Sequence, residues 1–354
     1  MAEKQYKVCV ACPTYNQSRF IEQTMDALCL QQTTFPFVCC ILDDASTDGQ
    51  QTVISRYLQQ HFETDSITEA CLRETDYAQI RIARHKANRN CLFVVILLHE
   101  NHFQQGLAAQ EYGYMFEWLD QSEYMAVCDG DDYWTASDKL QQQADFLDRH
   151  PDYALCYSPV IELDSKTGQQ KQQNSEPSLP STITIAELSL ENVIPTSTVL
   201  FRYESSYIKN LILLKELPMY DYPIWLQAAE RGKLYRFDQP LAVYRVGTGS
   251  WSSTSMAYRL LKVIEMLRAL PRIIKSPVAL QGFERQIEVQ KTKLIDLFEQ
   301  LENDRQNVRK EYDHVVTMYR EQCSRLSVQE RILSSRSYRL ARYLNSIFDR
   351  IRKI

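Results

Sequence analysis

The chain has 354 residues, of which 44% are hydrophobic and 24% are charged, and this balance predicts a soluble globular protein rather than a disordered or fibrous one. No apolar run approaches the roughly 20 residues that a membrane-spanning helix needs, and the start of the chain lacks the apolar core of a signal peptide, so we expect a cytoplasmic protein. The net charge of −5 combines an acidic body with a basic end, which disfavours a nucleic-acid partner.

Apolar strands alternate with helical patterns in the first third of the chain, which is typical of βαβ units around a mainly parallel sheet. Strands are predicted over residues 6–12, 37–42, 91–98 and 124–128. Four helices are predicted: one that begins after a cap at Ser18, one around residues 53–58, and two over 108–119 and 138–149. The polar stretch 63–90 has no assignable pattern, and an insertion is one interpretation of it.

A polar, glutamine-rich segment over residues 164–181 is interpreted as a mobile surface loop of the kind that closes over substrates. A strand over 197–203 and a helix over 222–231 then complete the domain. We therefore predict three segments: an α/β domain over residues 1–254, a helical linker and coiled coil over 255–334, and a basic amphipathic tail over 335–354.

The helical segment carries a 4-3 heptad spacing that is typical of a coiled coil. Only Arg305 and Gln322 are strongly polar among the positions of this seam, which are residues 294, 298, 301, 305, 308, 312, 315, 319, 322 and 326. The pattern predicts a homo-oligomer. The alternative is a single amphipathic helix that lies on the α/β domain.

The last 20 residues combine a basic charge with an apolar face. Six basic residues stand against the single acid Asp349, and one helical face carries Leu340, Leu344, Ile347, Phe348 and Ile351. This pattern favours docking on an anionic membrane surface, which would place the protein at the inner face of the cell membrane. The alternative is packing of the tail against the coiled coil.

Three acids follow the buried strand over residues 124–128: Asp129, Asp131 and Asp132. Carboxylate oxygens at the end of a strand are the ligands that Mg²⁺ or Mn²⁺ needs to bridge two phosphates. Because three crowded acids repel one another unless a cation offsets their charge, the cluster predicts a metal site rather than a solvated turn.

Asp43 and Asp44 occupy the comparable position after another strand. Ligands of open α/β sheets bind at the carboxyl ends of strands, so a carboxylate here can accept a hydrogen bond from a base or ribose. Capping of the next helix is the alternative, although Thr47 or Asp48 would suffice for it.

Other patterns only imitate functional sites. Cys9 and Cys12 match a C-x-x-C spacing inside an apolar strand, which predicts buried, reduced thiols. His99 and His102 lack the spacing of metal ligands on a helix. Aromatics at helical spacing are more often core than stacked on a sugar, and Trp134, beside the acid cluster, is the one whose stacking is worth testing.

Several motifs, in their order and spacing, resemble those of the family-2 glycosyltransferases. They are Pro13-Thr14-Tyr15-Asn16, the segment 42–48, Gly106 after Asn101, the segment 128–134, the segment 221–226, Gly232, and Tyr244-Arg245. The likeness covers residues 5–254. It departs from the family where many relatives carry a histidine a few residues after the Tyr-Arg pair, because none stands there in this chain.

The resemblance implies a GT-A fold, a Rossmann-like α/β architecture whose first half binds a nucleoside diphosphate sugar and whose second half binds the acceptor. It implies that Pro13, Thr14 and Tyr15 line the base pocket, with Tyr15 stacking on the base, and that Asp44 meets the pyrimidine edge. It further implies that Asp129 contacts the ribose or the metal and that Asp131 binds the metal.

On the acceptor side, the resemblance implies that Asp221 is the general base. The glycine-rich segment after Arg245 could cradle phosphate with backbone N–H groups, aided by Arg245, while Ser250 or Trp251 closes the site. A sugar hydroxyl that attacks an anomeric carbon needs a base and a neutralised leaving diphosphate, which one carboxylate and one divalent cation, Mn²⁺ or Mg²⁺, supply.

The function that follows is inverting, metal-assisted transfer of a sugar, with UDP-sugars favoured as donors, to a saccharide or lipid-linked saccharide, as in bacterial surface-polysaccharide biosynthesis. The main alternative is a catalytically inactive glycosyltransferase-like scaffold that organises an assembly through its coiled coil. A dehydrogenase is disfavoured because no G-x-G-x-x-G follows the first strand, and a nucleotidyltransferase because no basic phosphate loop does.

Overall fold

The computed structural model describes residues 4–63, 72–172, 180–214, 217–248, 254–325 and 333–352. The chain divides into two compact units. The first comprises Met1–Ser255 with Lys262–Ile287, and the second comprises Met256–Leu261 with Glu288–Ile354. The three-segment division of the sequence stays a prediction.

Two sheets form the framework of the first unit. Their strands are β1 (Tyr6–Thr14), β2 (Phe37–Asp43), β3 (Leu72–Glu74), β4 (Ala78–Arg84), β5 (Cys91–Leu98), β6 (Ser122–Val127), β7 (Tyr133–Trp134), β8 (Tyr153–Tyr157), β9 (Val160–Asp164), β10 (Gln170–Gln172), β11 (Thr182–Ile183), β12 (Leu200–Arg202), β13 (Lys233–Arg236) and β14 (Ala242–Val246). Among the described residues, the large sheet has the order β11-β13-β8-β12-β6-β1-β2-β5-β4-β3.

Helices flank these sheets and continue beyond them. Their bounds are α1 (Ile21–Cys29), α2 (Gln50–His61), α3 (Ala108–Gly113), α4 (Phe116–Leu119), α5 (Lys139–Arg149), α6 (Ile185–Leu188), α7 (Ser205–Leu214), α8 (Asp221–Ala229), α9 (Met256–Ala269), α10 (Pro277–Arg325) and α11 (Leu333–Arg352). Short 3₁₀ turns span Thr196–Thr198 and Leu270–Arg272.

The centre of the large sheet is parallel, as the sequence predicts. Strands β6, β1, β2 and β5 run in one direction, and every residue of β2 and β5 is buried. Their near-continuous apolar sequences follow from burial on both faces, because packed residues cover each side of a parallel sheet. Two separate clusters of buried side chains supply that cover. The α/β fold class is thereby confirmed.

The small sheet brings the second half of the domain to the acid cluster. Its order is β10-β9-β14-β7, and β14 pairs in parallel with β9 and antiparallel with β7. Because β7 directly follows the acidic segment, this pairing places Tyr244 and Arg245 of β14 beside Asp131 and Asp132.

Two sequence predictions for helices are corrected by the structure. Ser18 does not cap α1, since the helix begins at Ile21 without a side-chain cap; its N–H instead donates to Asp48 Oδ2 at 2.9 Å. The helix over 108–119 is two short helices, α3 and α4, and α3 ends at Gly113. Glycine is a weak helix former, which explains the break.

Two polar segments contain strands that their sequence patterns do not predict. The unassigned stretch 63–90 includes β3 and β4, which pair antiparallel at the edge of the large sheet, while residues 64–71 lie outside the described part. The segment 164–181, interpreted as a mobile loop, includes β10 paired with β9, and residues 173–179 lie outside the described part. Edge strands tolerate polar residues because one side faces water.

The long C-terminal helix is confirmed as α10. Within the second unit, the seam residues Phe298 and Leu301 are exposed, whereas Ile347 of α11 is only 2% exposed. The rings of Tyr312 on α10 and Phe348 on α11 meet edge to face, with centroids 5.3 Å apart. Among the described helices, none is long and apolar enough to span a membrane.

Candidate functional site

Backbone hydrogen bonds join the carboxyl ends of β1, β2 and β6 into one rim. The N–H of Gly130 donates to the carbonyl of Pro13 at 3.1 Å, and the N–H of Asp44 donates to the carbonyl of Thr14 at 3.0 Å. The three motifs that the sequence singled out therefore meet at one edge of the sheet, as expected where parallel strands end together.

The acidic turn fits closely against the loop after β1. A Cβ on Gly130 would lie 2.2 Å from Thr14 Oγ1 and 2.6 Å from Gln17 Oε1, so only glycine fits there. Thr24 of α1 fixes the turn from below, since its hydroxyl lies within hydrogen-bond reach of the carbonyls of Gly130, at 2.9 Å, and Asp132, at 2.6 Å. The position of the acids is thus set by packing before any ligand arrives.

The loops after β1 and β2 hold each other in an uncommon conformation. Asn16 and Ala45 have φ values of 53° and 55°, which few residues other than glycine adopt. Asn16 Oδ1 accepts the N–H of Thr47 at 2.8 Å, and the N–H of Asn16 donates to Ser46 Oγ at 2.9 Å. Such strain persists where the surroundings fix it, and it clusters at functional sites.

The acids crowd one another electrostatically. Burial, and then the charges of Asp131 and Asp221, raise the pKa of Asp129 to about 8. Burial also raises the pKa of Asp131, against hydrogen bonds from Thr248 and Gln17 and the charge of Arg245. A divalent cation would offset this repulsion.

The residues fit a cation that is shared with a ligand rather than caged by the protein. Among the described residues, no group of three or more His, Cys, Asp and Glu side chains is placed to hold a metal. Mg²⁺ commonly binds through one or two carboxylates together with substrate phosphates. Asp129 and Asp131 are the two carboxylates that could bind such a cation, and a diphosphate would then have to complete its coordination shell.

Asp132 and Arg245 stabilise the acidic turn. Asp132 Oδ1 accepts the backbone N–H of Arg245 at 2.9 Å, and the Arg245 guanidinium donates to the carbonyl of Asp131 and to Gln23. The guanidinium lies over the rings of Phe20 and Tyr133, 4.6 and 4.9 Å from their centroids. A phosphate contact by Arg245 stays a prediction. Only the guanidinium N–H groups that are not used in these two hydrogen bonds could make it.

The two acids at the carboxyl end of β2, Asp43 and Asp44, have different hydrogen-bond partners. Asp43 accepts hydrogen bonds from Ser46 N, Gln50 Nε2 and Gln51 Nε2, at 3.0, 2.6 and 2.7 Å, and so organises the turn into α2. Asp44 instead reaches across to the loop after β5.

Asp44 and Tyr15 lie on the side of the rim where the base pocket is predicted. Asp44 Oδ1 and Oδ2 accept the N–H groups of His102 and Phe103 at 2.6 and 3.1 Å. Each oxygen keeps a lone pair for a ligand. The Tyr15 side chain is 37% exposed, which leaves its ring accessible for stacking.

Asp221 is the first residue of α8 and lies near Asp129. Its Oδ2 accepts the hydroxyl of Thr196 at 2.6 Å, and its Oδ1 accepts the N–H of Tyr222 at 2.6 Å. Burial raises the pKa of Asp221. Because the charge of Asp221 contributes to the raised pKa of Asp129, the structure brings the predicted base to the acid cluster.

Two tyrosines near the acids were given no role in the sequence analysis. Burial, followed by the charges of Asp129 and Asp221, raises the pKa of Tyr112. Burial, followed by the charges of the acid cluster, raises the pKa of Tyr244 to about 12. Tyr244 belongs to the Tyr244-Arg245 motif of the sequence analysis, whereas Tyr112 lies in a helix without a motif and was missed.

Trp134 is a core residue, the alternative that the sequence left open beside stacking on a sugar. The residue is 4% exposed, its Nε1–H donates to the carbonyl of Ser197 at 2.8 Å, and its ring packs on the buried Lys139 ammonium 4.1 Å away. A sugar cannot reach this ring. Ser250 and Trp251, expected to close the site, lie outside the described residues.

The patterns that imitate metal or redox sites are structural. His99 Nε2 pairs with Glu74 at 2.9 Å, and His102 Nδ1 lies 3.2 Å from the Tyr114 hydroxyl. All eight cysteines whose side chains the structure describes are free and buried. The prediction of buried thiols is confirmed for these residues.

Comparison with known proteins places the domain. Residues 9–98 match the family model of Glycosyl transferase family 2. The uncharacterized protein Rv1520 of Mycobacterium tuberculosis is 29% identical over 241 residues, which are 68% of this chain. The chain spans 59% of the length of that relative.

A solved structure has a similar fold. The crystal structure of S. aureus TarS 1-349 in complex with UDP-GlcNAc superposes with a TM-score of 0.52 at 16% sequence identity, covering 87% of this chain and 80% of that one. This likeness concerns the fold, and the family match rests on residues 9–98, which contain the loops after β1 and β2. Residues 9–98 therefore match a glycosyl transferase family 2 domain, and the chain has a GT-A-like fold.

Proposed function

We propose that the protein transfers a sugar from a nucleoside diphosphate sugar to a saccharide or lipid-linked saccharide acceptor, with inversion of the anomeric carbon. The observation that carries this proposal is the meeting of Asp129, Asp131 and Asp221 at the rim that also presents Tyr15 and Asp44. A UDP-sugar is the favoured donor, and the TarS structure named above, in complex with UDP-GlcNAc, supports this choice.

In this function Asp221 takes the proton of the attacking acceptor hydroxyl. The hydroxyl of Thr196 and the N–H of Tyr222 fix the carboxylate, each using one lone pair. Burial raises its pKa, which makes the carboxylate a stronger base. A single displacement by the activated hydroxyl inverts the anomeric centre.

The donor lies along the rim in this proposal. Pro13, Thr14 and Tyr15 line the base, with Tyr15 stacked on it, and Asp44 accepts a hydrogen bond from the base edge. Asp131, with Asp129, would hold a divalent cation, Mn²⁺ or Mg²⁺, which when bound neutralises the charge of the leaving diphosphate.

A donor screen tests the proposed function. We expect the full chain with Mn²⁺ to gain thermal stability from one class of nucleotide sugar, with UDP-sugars first, because a ligand at 100 times its Kd stabilises the folded state by about 2.7 kcal/mol. Donor hydrolysis that stops on addition of a chelator is the second readout. No response to any donor would favour the alternative of an inactive scaffold.

The second unit suits an assembly role, and we place the protein at the inner face of the cell membrane in surface-polysaccharide biosynthesis. The exposed seam residues Phe298 and Leu301 support a homo-oligomer through α10. The contact between Phe348 and Tyr312 supports packing of the tail on α10, so docking on an anionic membrane would require this apolar face to be released.

Deletion of residues 335–354 distinguishes membrane docking by the tail from packing of the tail on α10. If the tail docks on membranes, sedimentation with anionic vesicles should fall while donor-induced stabilisation stays unchanged. Equal vesicle binding by both chains would reject membrane docking.

Light scattering of the full chain should give more than the mass of one chain, and a monomer would reject the coiled-coil oligomer.

A further inference from the structure

Lys139, the first residue of α5, is a fully buried lysine that the proposed transfer does not use. The residue is 0% exposed, and no ion pair among the described residues includes it. Burial lowers the pKa of Lys139 to about 7, because an ammonium loses its hydration in the core. An apolar side chain would fill this space without that cost, so packing alone does not explain a lysine here.

The Lys139 amine is surrounded by hydrogen-bond acceptors rather than by acids. Its Nζ donates to Gln143 Oε1 at 2.8 Å and to the carbonyl of Val199 at 3.4 Å. It also lies 4.1 Å from the centroid of the Trp134 ring. An ammonium has three N–H groups, and these three partners match that number. A neutral amine keeps two N–H groups, so the two hydrogen bonds do not require the charge.

The same stretch of backbone is held by side chains on either side of Lys139 in the sequence. Three consecutive carbonyls each accept a hydrogen bond from a different buried side chain: Ser197 from Trp134 at 2.8 Å, Thr198 from Gln143 at 2.8 Å, and Val199 from Lys139 at 3.4 Å. Residues Thr196–Thr198 form a 3₁₀ turn, in which internal hydrogen bonds have poorer geometry than in an α-helix. Contacts from outside therefore contribute to the shape of this turn.

The turn connects these side chains to the predicted base. Its first residue, Thr196, donates its hydroxyl to Asp221 Oδ2 at 2.6 Å. Trp134 and Lys139 follow Asp131 closely in the chain, so one segment carries both the acidic turn and the side chains that hold the Thr196 turn. A displacement of about 1 Å in a reacting group can lower a rate about 100-fold, so the stiffness of this connection bears on turnover.

We propose that Lys139 is a positioning residue, which holds the turn of Thr196 in place and thereby fixes Asp221 relative to the acid cluster. Gln143 and Trp134 hold the same turn with it. This inference rests on the proposed role of Asp221 as the base and extends it to residues that contact neither donor nor acceptor. The role depends on the N–H groups of Lys139 and not on its charge.

Lys139→Met provides the test, since methionine is a long, unbranched side chain without an N–H group. Hydrolysis of a UDP-sugar by the full chain with Mn²⁺ gives kcat and KM, because water can replace the acceptor hydroxyl. We expect kcat to fall about tenfold to 100-fold. KM and the thermal stabilisation by the UDP-sugar should stay unchanged, because in the proposed function the loops after β1, β2 and β6 bind the donor.

Two further variants complete the design. Lys7→Met is the matched control, since Lys7 pairs with Glu123 and Asp148 near the start of β1, at the end opposite the rim, and this variant should keep wild-type kcat. Trp134→Phe keeps a ring beside Lys139 but removes the N–H that donates to Ser197. It should also lower kcat at unchanged KM, and it serves as the test if circular dichroism shows Lys139→Met to be unfolded.

A double variant asks whether Lys139 acts through Thr196. Thr196→Val keeps the shape of the side chain and removes the hydroxyl that reaches Asp221. In that background Lys139→Met should lower kcat by less than about twofold further, because both changes remove the same contact with the base. A residue that supports only the general stability of the domain would not show this dependence.

The outcomes separate this inference from the proposed function. Wild-type kcat in folded Lys139→Met, or in Trp134→Phe where Lys139→Met is unfolded, overturns the positioning role alone. The same holds if the effects of Lys139→Met and Thr196→Val multiply in full. Near-normal turnover in Asp221→Asn overturns the base and this inference with it. A folded wild type that neither binds nor hydrolyses any nucleotide sugar overturns the proposed function as a whole.

Discussion

Replacement of Asp221 by asparagine is expected to lower sugar-transfer turnover by about 100-fold to 10,000-fold, the range in which a positioned general base contributes. Asparagine has the same shape and can still accept the N–H of Tyr222, which now donates to Asp221 Oδ1. It cannot take a proton from the acceptor. Turnover with a saturating donor, together with thermal stabilisation by that donor, measures the effect.

The two readouts distinguish a base from a structural residue. Asp221→Asn should keep donor-induced stabilisation, because in the proposed function the loops after β1, β2 and β6 bind the donor. Asp152→Asn serves as a control, since Asp152 is an acid that pairs with Lys233 on the surface. Near-normal turnover in Asp221→Asn would rule out its role as base, and loss of donor binding with turnover would point to a structural role.

Loss of the Thr196 hydroxyl, which positions the proposed base Asp221, is expected to lower turnover less than Asp221→Asn does. The Thr196 hydroxyl donates to Asp221 Oδ2 at 2.6 Å, and this bond lowers the pKa of Asp221 against the effect of burial. The sequence offered no sign of this contact, since Thr196 precedes Asp221 by 25 residues. Contacts of this kind depend on how the chain returns to the sheet, which local patterns do not encode.

The sequence predicted the elements that follow from burial and strand direction. Strands β2 and β5 are apolar throughout because both faces are covered, and their order makes the sheet parallel. Once the sheet is parallel, the ends of β1, β2 and β6 must meet at one edge. The joint position of Thr14, Asp44 and Asp131 therefore follows from the sequence, and the family match over residues 9–98 includes the first two of them.

The failures have a common physical cause. Ser18 and Trp134 were interpreted from their sequence neighbours, but partners distant in sequence decide their roles: Asp48 for the N–H of Ser18, and Ser197 with Lys139 for Trp134. Tertiary contacts outweigh local pattern in each case.

Asp131→Asn should distinguish binding of the cation from stability of the fold. Removal of one charge relieves the repulsion that Asp131 exerts on Asp129 and Asp132, so the variant in chelator should be at least as stable as the wild type. Stabilisation by a nucleotide sugar with Mn²⁺ should be lost, and turnover should fall about 100-fold or more, because a bound cation contributes several kcal/mol to charge stabilisation.

Asp132→Asn is the matched control, one residue further along the chain. Asp132 Oδ1 accepts the N–H of Arg245 at 2.9 Å, and its Oδ2 is buried without a partner among the described residues. The asparagine oxygen can keep the bond to Arg245, so cation-dependent stabilisation should survive in Asp132→Asn. Equal loss in both variants would mean that the cluster binds the cation as a whole, and retention in Asp131→Asn would remove Asp131 from the metal site. We expect the contrast between neighbours because Asp132 accepts the N–H of Arg245 and so holds the turn together, whereas Asp131 is the carboxylate that the proposed function assigns to the cation.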